Sequence, residues 1–207
     1  TGVPAVPNVL GTPDSRFSGR ERSVDPANAG KQVRPAGSCG YLHVYTGDGK
    51  GKTTAAFGLA VRALCAGQSV YIGQFVKSMR YNETKIEGIF DRMRIEQLGR
   101  GCFIGHDPEP ADVGMAREGL ARCRALLVSG EYDLVILDEL TIALYYRLLT
   151  VDEVLDALRA RHPSVEVVVT GRYAPQELVD EADLVTEMRE VKHYYTQGVL
   201  SREGIDR

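Results

Sequence analysis

From Tyr41 onward the chain switches repeatedly between short apolar runs and longer stretches with helical spacing. YLHVYT (Tyr41–Thr46) reads as a strand that leads straight into a glycine-rich turn. TTAAFGLAVRALCAG follows as a helix from Thr53 to about Ala66, closed by Gly67 as its C-terminal cap. SVYIGQF (Ser69–Phe75) predicts a second strand and RIEQL (Arg94–Leu98) a third. ADVGMAREGLARCRALLVSG has the spacing of a long amphipathic helix ending at Gly130. In YDLVILDEL, Leu134–Leu137 reads as a buried strand with two acids at its carboxyl end. VDEVLDALRARH predicts another helix, stopped by Pro163, and VEVVVTGR an apolar strand ending in a Gly-Arg turn. ADLVTEM (Ala182–Met188) predicts a last short strand. Strands that alternate with helices, several of them apolar throughout, predict an α/β domain: a mostly parallel sheet with helices on both faces. No internal repeat interrupts this order.

Residues 1–38 lie outside the pattern. They are rich in Pro, Gly, Ser and Asn and almost lack long apolar side chains. Such a segment buries too little surface to offset its ordering entropy, so it is expected to be a weakly ordered tail before one domain at 39–207. The 207 residues are 43% hydrophobic and 26% charged, enough to bury a sizeable core. A net charge of −3 offers no polyanion-binding surface, which argues against nucleic acid as a partner. Neither a signal-peptide pattern nor an apolar run of about 18 residues occurs, so no membrane association is expected. Cys39, Cys65, Cys102 and Cys123 are scattered without a C-x-x-C pair, as expected for reduced thiols of a cytoplasmic protein.

The turn after the first strand carries the clearest chemistry. TGDGKGKTT (Thr46–Thr54) ends like a phosphate-binding loop, but the position five before Gly51 is Thr46 where the usual pattern has glycine. Its glycines, Gly47, Gly49 and Gly51, let successive backbone N–H groups point inward at phosphate oxygens. Lys52 adds a point charge, the following helix offers its positive end, and Thr53 is placed to give a hydroxyl to magnesium. Asp138 and Glu139 stand at a strand's carboxyl end, where open sheets hold their ligands. An acid there either takes a metal opposite Thr53 or serves the first turn of the next helix. Arg172, in TGRYAP, also follows a strand and is suited to a purine or a phosphate, or to an ordinary loop surface. Arg62 lies on the helix after the loop, on either a nucleotide-facing or a solvated side. Between Leu98 and Pro110, Cys102, Phe103, Ile104 and His106 sit in a glycine- and proline-punctuated loop able to cover a flat apolar ligand or to pack on the core. His106 and His193 lack metal-ligand spacing and read as hydrogen-bonded side chains.

Taken together, TGDGKGKTTAA, QFVK (Gln74–Lys77), LVILDELT, VVVTGR, ADLVTEM and the closing VKHYYTQGVLSREGID resemble the ATP:cob(I)alamin adenosyltransferases. The resemblance covers about residues 40–207. It implies a RecA-like P-loop domain, a homodimer, that moves the adenosyl group of ATP to Co(I) of a reduced corrinoid and releases triphosphate. It also implies Mg2+ and an electron-donating reductase such as a flavoprotein. Matched motif by motif, Gly47, Asp48, Gly49, Lys50, Gly51, Lys52, Thr53 and Thr54 form the ATP loop, with Arg62 and Arg172 around the nucleotide. Thr53, Asp138 and Glu139 take the metal positions, and Lys52, Thr53 and Glu139 are expected to carry the catalysis. Where some family members place Phe-x-Trp against the corrinoid's lower face, this chain has Cys102 and Ile104 with Phe103 between them, and it contains no tryptophan. Under this resemblance the loop holds triphosphate as a leaving group, which accounts for the absence of a general-base constellation. The competing readings are a RecA-like ATPase or regulator hydrolysing the terminal phosphate, and a corrinoid carrier that binds ATP only as a signal.

Overall fold

The computed structural model describes residues 39–77, 81–100 and 108–206. The expected tail at 1–38 and the candidate corrinoid residues Cys102, Phe103 and Ile104, with His106, lie outside the described residues. Six strands form one parallel sheet: β1 (Leu42–Thr46), β2 (Val70–Gln74), β3 (Met93–Gln97), β4 (Leu134–Asp138), β5 (Glu166–Thr170) and β6 (Leu184–Glu187). Their order across the sheet is β3-β2-β4-β5-β1-β6. Parallel strands need crossovers: α1 (Lys52–Cys65), α2 (Pro110–Ser129), α3 (Leu140–Tyr145), α4 (Val151–Arg159) and α5 (Gln176–Glu181) supply all but that from β2 to β3, which carries the 3-10 helix Asn82–Gly88.

The period of two along each strand sorts side chains between two cores. Val70, Ile72, Met93, Ile95, Leu134, Ile136 and Val168 pack with Ala56, Phe57, Ala60 and Leu64 of α1. On the other face Leu42, Val44, Tyr71, Val135, Leu137, Val167 and Val169 pack with α2, α3 and α4. Strands β2 and β4 are buried at every position, which is why their sequences read as continuous apolar runs. The helix boundaries have local causes. Pro110 opens α2 behind a reciprocal cap in which Glu109 and Asp112 each accept from the other's backbone N–H, and Gly130 closes it at φ 65°. Thr150 and Glu153 cap α4 in the same way.

Burial makes a chemical prediction about the thiols. Cys123 is enclosed between α2 and the sheet, and desolvation pushes its pKa up to about 12, whereas Cys39 and Cys65 are exposed. A thiolate reagent should modify Cys39 and Cys65 in the native protein and reach Cys123 only after denaturant is added, read by peptide mass mapping. Native labelling of Cys123 at the rate of Cys65 would contradict this packing.

Candidate active site

All six strands run the same way, so their carboxyl ends share one edge, and the order β2-β4-β5-β1 sets four loop starts side by side. The glycine loop leaves β1 there. It is tight because the chain after β6 presses on it: Gly49 N–H donates to Met188 O at 2.7 Å. A Cβ at Gly47, whose φ is 97°, would stand 2.4 Å from that same oxygen, so only glycine fits. Helix α1 begins at Lys52 with no side-chain cap on its first N–H groups, which leaves them for an anion. Lys52 is 7% exposed and folds back over the loop, its Nζ donating to Gly47 O at 2.7 Å and Gly49 O at 2.8 Å. Burial, then the nearby Arg172 charge, hold its pKa below the usual lysine range despite Glu139, Asp48 and Asp138. An arriving polyanion would offset both effects by favouring the charged ammonium.

Asp138, the last residue of β4, is fully buried. Its Oδ1 accepts from Thr53 Oγ1 at 2.9 Å and Thr170 Oγ1 at 2.7 Å; its Oδ2 accepts from Gln74 Nε2 at 3.0 Å and Lys77 Nζ at 2.8 Å. Burial would raise its pKa, but the Lys77 charge and these bonds outweigh that and hold the carboxyl below its ordinary range. Four donors occupy the carboxylate, so Asp138 is an anchor beneath the cavity. Glu139 differs. It sits at φ 59° before α3, lines the cavity, and receives no side-chain hydrogen bond among the described residues. Desolvation and then the Asp138 charge push its pKa up.

Three central strands end in backbone that L-residues rarely adopt: Val76 at φ 61° after β2, Glu139 after β4, and Tyr173 at φ 58° after β5. Such strain gathers where the surrounding fold fixes a side chain for use. The loops enclose a cavity of about 900 Å³. Gly49 through Thr54, Glu139 and Arg172 line it, as the sequence motifs predict. Lys77, Tyr81, Tyr146 and Tyr173 line it too, together with residues between His193 and Asp206. Sequence reasoning gave those tyrosines no role, although Tyr173 lies in TGRYAP, because spacing says nothing about which loops converge. The closing segment is tied to the loop by Lys50, whose Nζ lies 3.0 Å from Asp206 Oδ1 and donates to Ile205 O at 3.2 Å, while Tyr194 donates to Asp206 within the segment. His193 Nδ1 accepts from Tyr195 N–H at 3.0 Å, a local cap.

Three expected nucleotide residues are not among those lining the cavity. Arg62 is exposed and outside the cavity lining, because α1 rises about 1.5 Å per residue away from the loop and carries it roughly 15 Å along. Gly47 and Asp48 are not among the cavity-lining residues; Asp48 acts on the site through its charge near Lys52. For a metal, the donor set fits a hard cation. Thr53 supplies a hydroxyl oxygen and Glu139 a cavity-facing carboxylate, while among the described residues no cluster of three His, Cys, Asp or Glu side chains forms a closed cage. Magnesium suits so sparse a protein contribution, since it keeps water and substrate phosphates as ligands.

Loop, anchored acid and strand order define a P-loop nucleotide-binding protein of the α/β class. A solved structure with the same fold is the flagellar accessory protein FlaH from Methanocaldococcus jannaschii, at TM-score 0.50 and 13% identity over 72% of this chain and 71% of that one. The family model of the ATP:corrinoid adenosyltransferases BtuR/CobO/CobP matches residues 38–206, and the chain belongs to that family. Relatives include the corrinoid adenosyltransferase of Escherichia coli K12, 33% identical over 93% of this chain and 98% of its own length. The corrinoid adenosyltransferase CobA of Salmonella typhimurium matches to the same extent. That of Pseudomonas aeruginosa is 37% identical over 81% of this chain and 83% of its own.

Proposed function

We propose that this protein transfers the 5′-deoxyadenosyl group of ATP to the Co(I) of a reduced corrinoid, in cobalamin biosynthesis, and releases triphosphate. The family supplies ATP and corrinoid as substrates. The observation that carries the finer reading is the phosphate grip on the cavity wall, where Lys52, the uncapped first N–H groups of α1 and Arg172 converge. Co(I) is itself the nucleophile, so the Co–C5′ bond forms with the metal's electron pair. The C5′–O bond breaks, and that pair departs on the triphosphate. The protein's work is to hold and stabilise the leaving polyanion. Lys52, the loop N–H groups and Arg172 do so by charge. Thr53 and Glu139 would hold Mg2+, which when bound would neutralise part of the triphosphate charge. Asp138 orients Thr53 from below. ATP labelled in its adenosine, incubated with reduced corrinoid, should leave the label on the corrinoid in proportion to enzyme; label remaining wholly with free nucleotide would overturn the proposal.

The corrinoid itself is assigned to the loop of Cys102, Phe103 and Ile104, on the family resemblance. A homodimer, a cytoplasmic setting and a flavoprotein-type electron donor belong to the same reading and rest on the same resemblance.

The metal role of Glu139 has a testable sign. A raised pKa means that protons compete with the cation, so the magnesium needed for half-maximal activity should increase as pH falls toward the Glu139 value. Glu139→Gln should raise that requirement at neutral pH, because an amide is a poorer ligand for a hard cation, and should flatten its pH dependence. Magnesium titrations at several pH values read both effects. A variant with the wild-type curve would remove Glu139 from the metal.

A further inference from the structure

Lys77 stands on the cavity wall, yet neither the glycine loop nor the acidic strand end accounts for it. Its Nζ lies 2.8 Å from Asp138 Oδ2, 3.8 Å from Glu83 Oε1 and 5.6 Å from the centre of the Tyr81 ring. The side chain is only 16% exposed. Holding a lysine there costs desolvation and rotamer entropy. The backbone that delivers it is itself strained. Val76, directly before it, is β-branched at φ 61°, a true outlier, and is 7% exposed. The chain after β3 packs against this kink so closely that a Cβ at Gly99 would stand 2.5 Å from Val76 N.

A lysine that served only to neutralise Asp138 would need no open side. Asp138 is already bonded by Thr53, Thr170 and Gln74. Lys77 instead shares the cavity lining with Lys52, Thr53, Glu139 and Arg172. It comes from the β2 end of the strand row, whereas Lys52 comes from the β1 end, so the cavity has a cation delivered from each side. We propose that Lys77 is a ligand of the triphosphate: parked on Asp138 while the site is empty, it turns its remaining N–H donors to the phosphates when ATP binds. It then carries part of the charge that the triphosphate gains as the C5′–O bond breaks. This rests on the functional reading given above.

The test is calorimetric binding of inorganic triphosphate to the full chain, with magnesium and with a chelator, for wild type, Lys77→Met, Lys77→Arg and Lys52→Ala. Methionine keeps the apolar stem and removes the charge. Lys77→Met should weaken triphosphate binding by about tenfold or more in both conditions, as expected for one lost charge-assisted bond. Lys77→Arg should recover part of the loss. Folded Lys77→Met binding within about twofold of wild type, on the same energy scale, would overturn the inference and leave Lys77 as the partner of Asp138 alone. If Lys77→Met fails to fold, the double variant Lys77→Met with Asp138→Asn removes the stranded charge and is compared with Asp138→Asn by the same criterion. Wild type that binds no triphosphate would overturn the reading of the site itself, and the role of Lys77 with it.

Discussion

Lys52→Ala should lower kcat/KM for adenosyl transfer by about 3 kcal/mol or more, roughly 150-fold. The lysine is buried in the loop that it would serve, its ammonium held by the carbonyls of Gly47 and Gly49. Nothing has to be recruited when ATP arrives: the charge exchanges two carbonyl partners for phosphate oxygens. Alanine also leaves both carbonyls without their donor, so the loop loses shape as well as charge. Steady-state kinetics with saturating reduced corrinoid reads the effect. Turnover near that of wild type would remove the loop from the phosphate site.

Asp138→Ala should cost about 3–5 kcal/mol of folding stability, because it strands a largely buried Lys77 and leaves Thr53, Thr170 and Gln74 without their acceptor. The sign with pH follows from the lowered carboxyl pKa. Ionised Asp138 stabilises the fold fully above the unfolded carboxylate value of about 4, and that contribution is lost as pH falls below it toward the lower folded value. The gap between wild type and variant should therefore be wide at neutral pH and narrow in acid. Urea denaturation at several pH values measures it. A loss under about 1 kcal/mol at neutral pH would contradict the anchoring role, since even one orphaned buried donor costs that much.

The strands and long helices were legible because their burial is simple. Leu134–Leu137 and Val167–Val169 are apolar on both faces, and a parallel sheet covered by helices is what that pattern requires. The caps at Gly130 and the loop before α1 were equally plain in the letters. Helices α3 and α5, six residues each, were not, since neither spans two turns of periodicity. Strand order was hidden too, and with it the fact that β2 lies beside β4. That neighbourhood places Lys77 on Asp138, a pairing 61 residues apart in sequence. Sequence spacing likewise offers two readings of Arg62, which in the structure is exposed on α1 and outside the cavity lining. Asp138 and Glu139 read as interchangeable acids; only the positive φ of Glu139 and the four donors on Asp138 separate a cavity-facing carboxylate from a buried anchor.

The central claim is that the loop grips a leaving group where most P-loop enzymes grip a phosphate under attack. Identifying the phosphate product formed from ATP in the presence of reduced corrinoid tests it most directly. The account predicts intact inorganic triphosphate, formed in equal amount with adenosylated corrinoid and absent when corrinoid is withheld. ADP with orthophosphate, formed whether or not corrinoid is present, would contradict it.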